Sequence, residues 1–112
     1  MLVVTFSVAG RQNCADIEGV PYVYATTEEG SFVMQASCPH RGGPLHLATM
    51  TPDRSRLLCP WHDRKSSVAR LRQQIPAVRS GSSVTAVLPA PAGAAAVLSH
   101  RPISDDLSAR PA

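Results

Sequence analysis

The stretch CPHRGGPL (residues 38–45), answered further along the chain by CPWH (residues 59–62), decides how this sequence is read. Cys38 and His40 form a C-x-H pair, Cys59 and His62 form a C-x2-H pair, and eighteen residues separate the two pairs. Thiolate and neutral imidazole are both good ligands for iron or zinc, so two Cys and two His in two short clusters point to a metal. The pairs share a design: Pro39 and Pro60 follow each Cys directly and fix the backbone so that Cys and His can face one centre. Arg41, Gly42, Gly43 and Pro44 continue the first pair with turn chemistry, which lets that loop fold tightly.

The surrounding sequence reads as scaffold for these loops. Leu2–Val8 is rich in β-branched residues and predicts a first strand, and Arg11–Gly19 reads as a polar connection. Val20–Thr26 and Ser31–Ala36 flank the turn residues Thr27–Gly30, a hairpin whose second arm runs straight into Cys38. Leu45–Met50 is short and either extended or helical, Thr51–Ser55 is a turn, and Arg56–Leu58 is a strand entering Cys59. Val68, Leu71 and Ile75 have weak helical spacing, stopped by Pro76. Ser83–Leu88 and Ala94–Ser99 are expected to pair as a last hairpin around PAPAG. Ten Pro and seven Gly favour such short strands and turns over long helices. The expectation is one domain over residues 1–99, with the metal loops at about 36–67, and a polar, disordered tail over 100–112.

Charge and cysteine usage narrow the function. The chain is mildly basic, at +3, and between Arg54 and Arg79 seven Lys or Arg face one Asp, Asp63. That run reads as a solvated surface, because it lacks the interleaved aromatics of a base-stacking platform, so no nucleic-acid partner is expected. Two of three Cys belong to the metal pattern, leaving Cys14 alone as a small packed or half-exposed side chain; no disulfide framework is available, which suits a reducing compartment. The apolar start MLVVTFSVAG is too short to span a bilayer and has no charged residue before it, so a soluble cytoplasmic protein without a membrane partner is expected. Fifteen Ala with many Arg and Pro suit a GC-rich bacterial genome.

Structural zinc is the first rival reading, although the one-residue gap between Cys38 and His40 is short for a zinc finger or ribbon. A Cys-His nucleophile is the second, but that chemistry does not need two matched copies. The pairs CPHRGGPL and CPWH closely resemble the Rieske [2Fe-2S] family, specifically its soluble ferredoxins associated with oxygenases. The resemblance implies an all-β fold of small stacked antiparallel sheets with a two-loop cluster-binding subdomain at one tip. It further implies one [2Fe-2S] cluster, with Cys38 and Cys59 on one iron and His40 and His62 on the other. Neutral His ligands raise the potential above that of all-Cys clusters, and on reduction they should bind protons more readily.

The resemblance also implies an electron carrier, not an enzyme, passing single electrons from a ferredoxin reductase to a terminal oxygenase. Arg41, Arg64 and Lys65 would suit an acidic docking face, and such encounters are small and transient. His46 and His100 are isolated, without the carboxylates of a second iron site, and His46 reads as a surface residue. Respiratory members of the family carry an extra bridged Cys in each loop, where this chain has Gly43 and Trp61. High-potential members place a Ser and a Tyr after the second loop, where Arg64 and Ser66 stand here, which implies the low end of the Rieske range. Asp63 and Ser66 also replace the Gly and the aromatic that ferredoxin-like relatives prefer. The alternative is a non-redox binding module or small subunit, holding structural zinc or derived from a degenerate Rieske domain.

Overall fold

The structure, a computed structural model, describes residues 1–38, 43–61 and 64–108. The described residues form three antiparallel sheets. The first joins β1 (Leu2–Ser7), β9 (Ser83–Leu88) and β8 (Ala77–Ser80) in that order. The second runs in the order β10 (Ala96–Ser99), β2 (Cys14–Ile17), β3 (Val20–Thr27), β4 (Gly30–Gln35). The third is the small sheet of β5 (Thr49–Met50), β6 (Arg56–Leu58) and β7 (Lys65–Ser67). This is the stacked all-β fold that the sequence implied.

The second sheet is the middle layer, and strand alternation explains how it serves two cores. On one face Ala15, Ile17, Tyr22 and Val33 meet Val4, Phe6, Val84, Ala86 and Leu88 of the first sheet. On the other face Cys14, Val23, Ala25, Phe32 and Met34 meet Leu45, Ala48 and Leu57, the helix α1 (Val68–Gln74), and both Cys38 and Cys59. β4 shows the switch residue by residue: Phe32 and Met34 go to the metal-loop side and Val33 to the other. This two-sided burial is why the VPYVYA and SFVM runs are almost continuously apolar.

Three expectations need correction. β2 lies within the stretch read as a polar connection; its four residues are too few to show alternation, although Cys14, Ala15 and Ile17 are buried. The expected hairpin of Ser83–Leu88 with Ala94–Ser99 does not form: β9 pairs with β1 and β8, whereas β10 crosses to pair with β2. The actual hairpin is β8 with β9, turned by Gly81 at φ +61°, a conformation open to Gly. Both segments are apolar and separated by Pro and Gly, so local pattern alone could not say which sheet each would join.

The third correction is the tail. Residues 100–108 are packed: Leu107 is 1% exposed within the core that holds the two cysteines, and Ser108 bridges to Thr26 in parallel. The segment is polar along most of its length but carries two apolar anchors, Ile103 and Leu107, which a composition argument averages away. Leu107→Ala is therefore expected to destabilise the protein by about 2–5 kcal/mol, as for other buried leucines. Chemical denaturation checks this, since a substitution in a disordered tail would leave the midpoint unmoved.

The turn between β5 and β6 is built around Asp53. Its Oδ1 accepts from the Thr51 hydroxyl at 2.6 Å, the Ser55 amide at 3.1 Å and the Ser55 hydroxyl at 2.9 Å. These donors, led by Thr51, hold the Asp53 carboxyl down at about 2, with Arg56 adding a small Coulombic share. Because the folded pKa lies below the unfolded one, the turn's contribution is complete above about pH 4. It is lost as pH falls through about 2. A carboxyl-resolved NMR titration should find Asp53 titrating well below the ordinary aspartate value. The nearby Arg54–Glu28 ion pair, at 3.4 Å and exposed on both sides, contributes little.

Candidate metal centre

The two cysteine loops are closed in the same way. β4 hands the chain to Cys38 through Ala36 and Ser37, and a Ser37–Pro44 bridge draws the far side of the loop back. The Cys38 amide donates to the Gly43 carbonyl at 2.7 Å. In the second loop the Cys59 amide donates to the Arg64 carbonyl at 2.9 Å, while Leu58 pairs with Lys65 across the base. Each loop is thus locked by a bond from its cysteine N–H to the carbonyl five residues on, which fixes the Cα from which each thiol projects. Pro39, His40, Arg41 and Gly42, and likewise His62 and Asp63, lie outside the described residues. The expected ligands His40 and His62 and the docking residue Arg41 therefore have no structural account.

Both thiols face inward. Cys38 and Cys59 are buried, neither is in a disulfide, and both belong to one apolar cluster with Leu45, Leu57 and Leu107. Gly43 lies directly against the Cys59 sulfur, since a Cβ built on Gly43 would come 2.9 Å from Cys59 Sγ and 3.3 Å from Trp61 Cβ. The bare backbone of Gly43 thus forms one wall of the space around that sulfur. The same closeness puts positions 43 and 61 near the Cβ spacing a disulfide needs, consistent with the bridged pair that the resemblance expects there in respiratory members. Trp61 itself is 62% exposed, beside a buried sulfur.

His46 is not the surface residue expected. It is 6% exposed, in the short 3-10 turn Leu45–Leu47, with its Nδ1 3.1 Å from the Ala36 carbonyl. A carbonyl only accepts, so Nδ1 carries the proton and donates. The His46 amide also reaches Ala36 O, at 3.3 Å, so His46 staples the end of the first loop to the strand exit that feeds it. Its sequence signal was the apolar LHL setting. His100 is exposed and remote, its Nδ1 2.8 Å from the Gly10 carbonyl. Cys14 is fully buried, and desolvation pushes its thiol up, opposed by Ser99 and Arg101.

Arg64 and Lys65 are exposed where the second loop rejoins β7, while Ser66 is half-buried opposite Leu57. Among the described residues no three His, Cys, Asp or Glu side chains gather as a metal site, because two of the four expected ligands fall outside them. Those that are described fit a thiolate-bound centre: two buried unpaired cysteines on matched, locked loops, with a side-chain-free wall at one sulfur. No helix among the described residues is long and apolar enough to cross a membrane.

Small antiparallel sheets presenting two such loops define a β protein with two buried, unpaired cysteines on matched loops. The family model described as the Rieske [2Fe-2S] domain matches residues 4–89, so the chain belongs to the Rieske [2Fe-2S] domain family, whose business is iron–sulfur electron transfer. No curated protein and no solved structure matches the chain.

Proposed function

We propose that this protein is a one-electron carrier, a Rieske-type ferredoxin that takes electrons from a ferredoxin reductase and delivers them to a terminal oxygenase. The observation that carries the reading is the matched pair of locked loops with buried, unpaired Cys38 and Cys59. Cys38, His40, Cys59 and His62 are the proposed ligands of one [2Fe-2S] cluster, which when bound accepts and releases a single electron. The chain's own part is to hold the two thiol-bearing backbones rigid, so that little reorganisation accompanies the change of charge. Burial among Leu45, Leu57 and Leu107 keeps water from the cysteine side. Free cysteines throughout suit a reducing, cytoplasmic setting.

Docking is proposed to use the basic residues flanking the second loop, Arg64 and Lys65, with Arg41 on the first, against an acidic partner face. Reduction of the partner should slow as salt rises, and a rate independent of ionic strength removes the charge-docking part. The deciding experiment for the reading is anaerobic purification followed by metal and sulfide analysis with EPR of the reduced protein. Two irons and two sulfides per chain, as the family's [2Fe-2S] formula requires, are expected, with a mean g typical of mixed N and S ligation. One zinc and no colour would instead place the protein among non-redox binding modules.

A further inference from the structure

The family match ends at residue 89, yet the chain beyond it returns to the metal loops. After β10 it crosses to the outer edge of the third sheet. There the Ser104 amide donates to the His46 carbonyl at 3.0 Å and the Ser104 hydroxyl to the Ala48 carbonyl at 2.6 Å. The Asp106 carboxylate accepts the Met50 amide at 2.8 Å. These bonds take alternate residues of the segment 46–50, the backbone groups that point away from β6. A strand edge left so would have unpaired donors and acceptors, costly where half-buried. Leu107 then enters the core cluster that also holds Cys38 and Cys59, which anchors the strap.

The strapped segment touches both cysteine loops. Just ahead of it, Gly43 accepts the Cys38 amide, and at its start His46 bonds twice to Ala36, just before Cys38. At its end, Thr49 pairs with Leu58, the residue before Cys59. One short piece of chain therefore sets the spacing of the two loops, and its free edge is held by Ser104 and Asp106.

We propose that Ser104 and Asp106 are positioning residues for the metal centre, acting through 46–50 to fix the two cysteine loops relative to one another. The charge-assisted bond to Asp106 and the paired bonds of Ser104 act on backbone, so neither residue touches the centre itself. Its bearing on an iron–sulfur centre rests on the function proposed above, whereas the strap itself does not depend on which metal is bound.

The test compares the full-length metal-loaded protein with Ser104→Ala, Asp106→Ala and Ser104→Thr variants. Amide hydrogen exchange over residues 43–50 should accelerate about 5- to 30-fold in each Ala variant, the effect of losing one side-chain hydrogen bond of about 1–2 kcal/mol. Exchange in β1 and β9 should not change, and Ser104→Thr, which keeps the hydroxyl, should restore the slow rate. The EPR line of the reduced protein should broaden wherever 43–50 has loosened. Unchanged exchange at 43–50, or acceleration spread equally to β1 and β9, overturns the proposal. So does an EPR line identical to wild type in a variant whose 43–50 segment has loosened. Metal analysis of the same samples separates the two readings: zinc in place of iron sinks the redox function while the exchange result still decides the strap.

Discussion

Cys59→Ser is expected to lose the metal centre, with iron and sulfide falling together and the visible spectrum disappearing. The side chain is fully buried, its backbone N–H is tied to Arg64 O, and its sulfur rests on Gly43, so its position is tightly fixed. A serine oxygen sits closer to Cβ, stays protonated at neutral pH, and is a hard donor where a soft one is needed. Removing an outer partner of a metal ligand already costs about 10- to 100-fold in affinity. Removal of a ligand should therefore exceed about a hundredfold. The control is Cys14→Ser, which should keep its iron. Cys14 lies in β2, and burial holds its thiol protonated, the wrong form for a ligand. Equal iron in wild type and Cys59→Ser would remove Cys59 from the ligand set, and metal analysis reads this directly.

How much of this was legible beforehand depends on the range over which each feature is determined. The positions of the two cysteine-bearing loops were, because Cys, Pro and Gly impose chemistry and turn geometry within a few residues. The β3–β4 hairpin was, because two apolar runs sit either side of a polar turn. What failed was pairing between distant segments. β9 and β10 are both short apolar stretches, and only the demand for a second face on the middle sheet sends one to β1 and the other to β2. His46 was read as exposed because an isolated histidine usually is, whereas here the Ala36 carbonyl satisfies it inside the fold. The strap was missed for a related reason. Ser104 and Asp106 bond to backbone groups of residues 46–50, and backbone acceptors leave no trace in a sequence. Local chemistry placed the expected ligands, and the packing that holds them came from some sixty residues away.

Gly43 shows the same limit from inside the motif. Its value looked conformational, one of two glycines in a turn, yet the structure shows a demand for space at this position. Gly43→Ala puts a methyl carbon 2.9 Å from Cys59 Sγ, closer than packed atoms approach, and 3.3 Å from Trp61 Cβ. The backbone cannot retreat cheaply, because Gly43 O receives the Cys38 amide at 2.7 Å and the Leu45 amide at 2.9 Å. The sulfur cannot retreat either, because it is buried in the core of Leu45 and Leu57. Overpacking of this kind costs about 1–3 kcal/mol. Here the strain falls on the geometry of one cysteine, so it should appear as faster loss of the centre and a shifted visible spectrum as well as a lower melting point. On the other side Trp61 closes the space, with its Cβ at 3.3 Å and its Cγ at 3.4 Å from that methyl carbon. Gly43→Ala with Trp61→Gly, which removes the Cβ that the new methyl meets, should therefore recover part of the lost stability, as coupled neighbours do. Additive losses in that double variant would mean that sulfur crowding alone accounts for the effect.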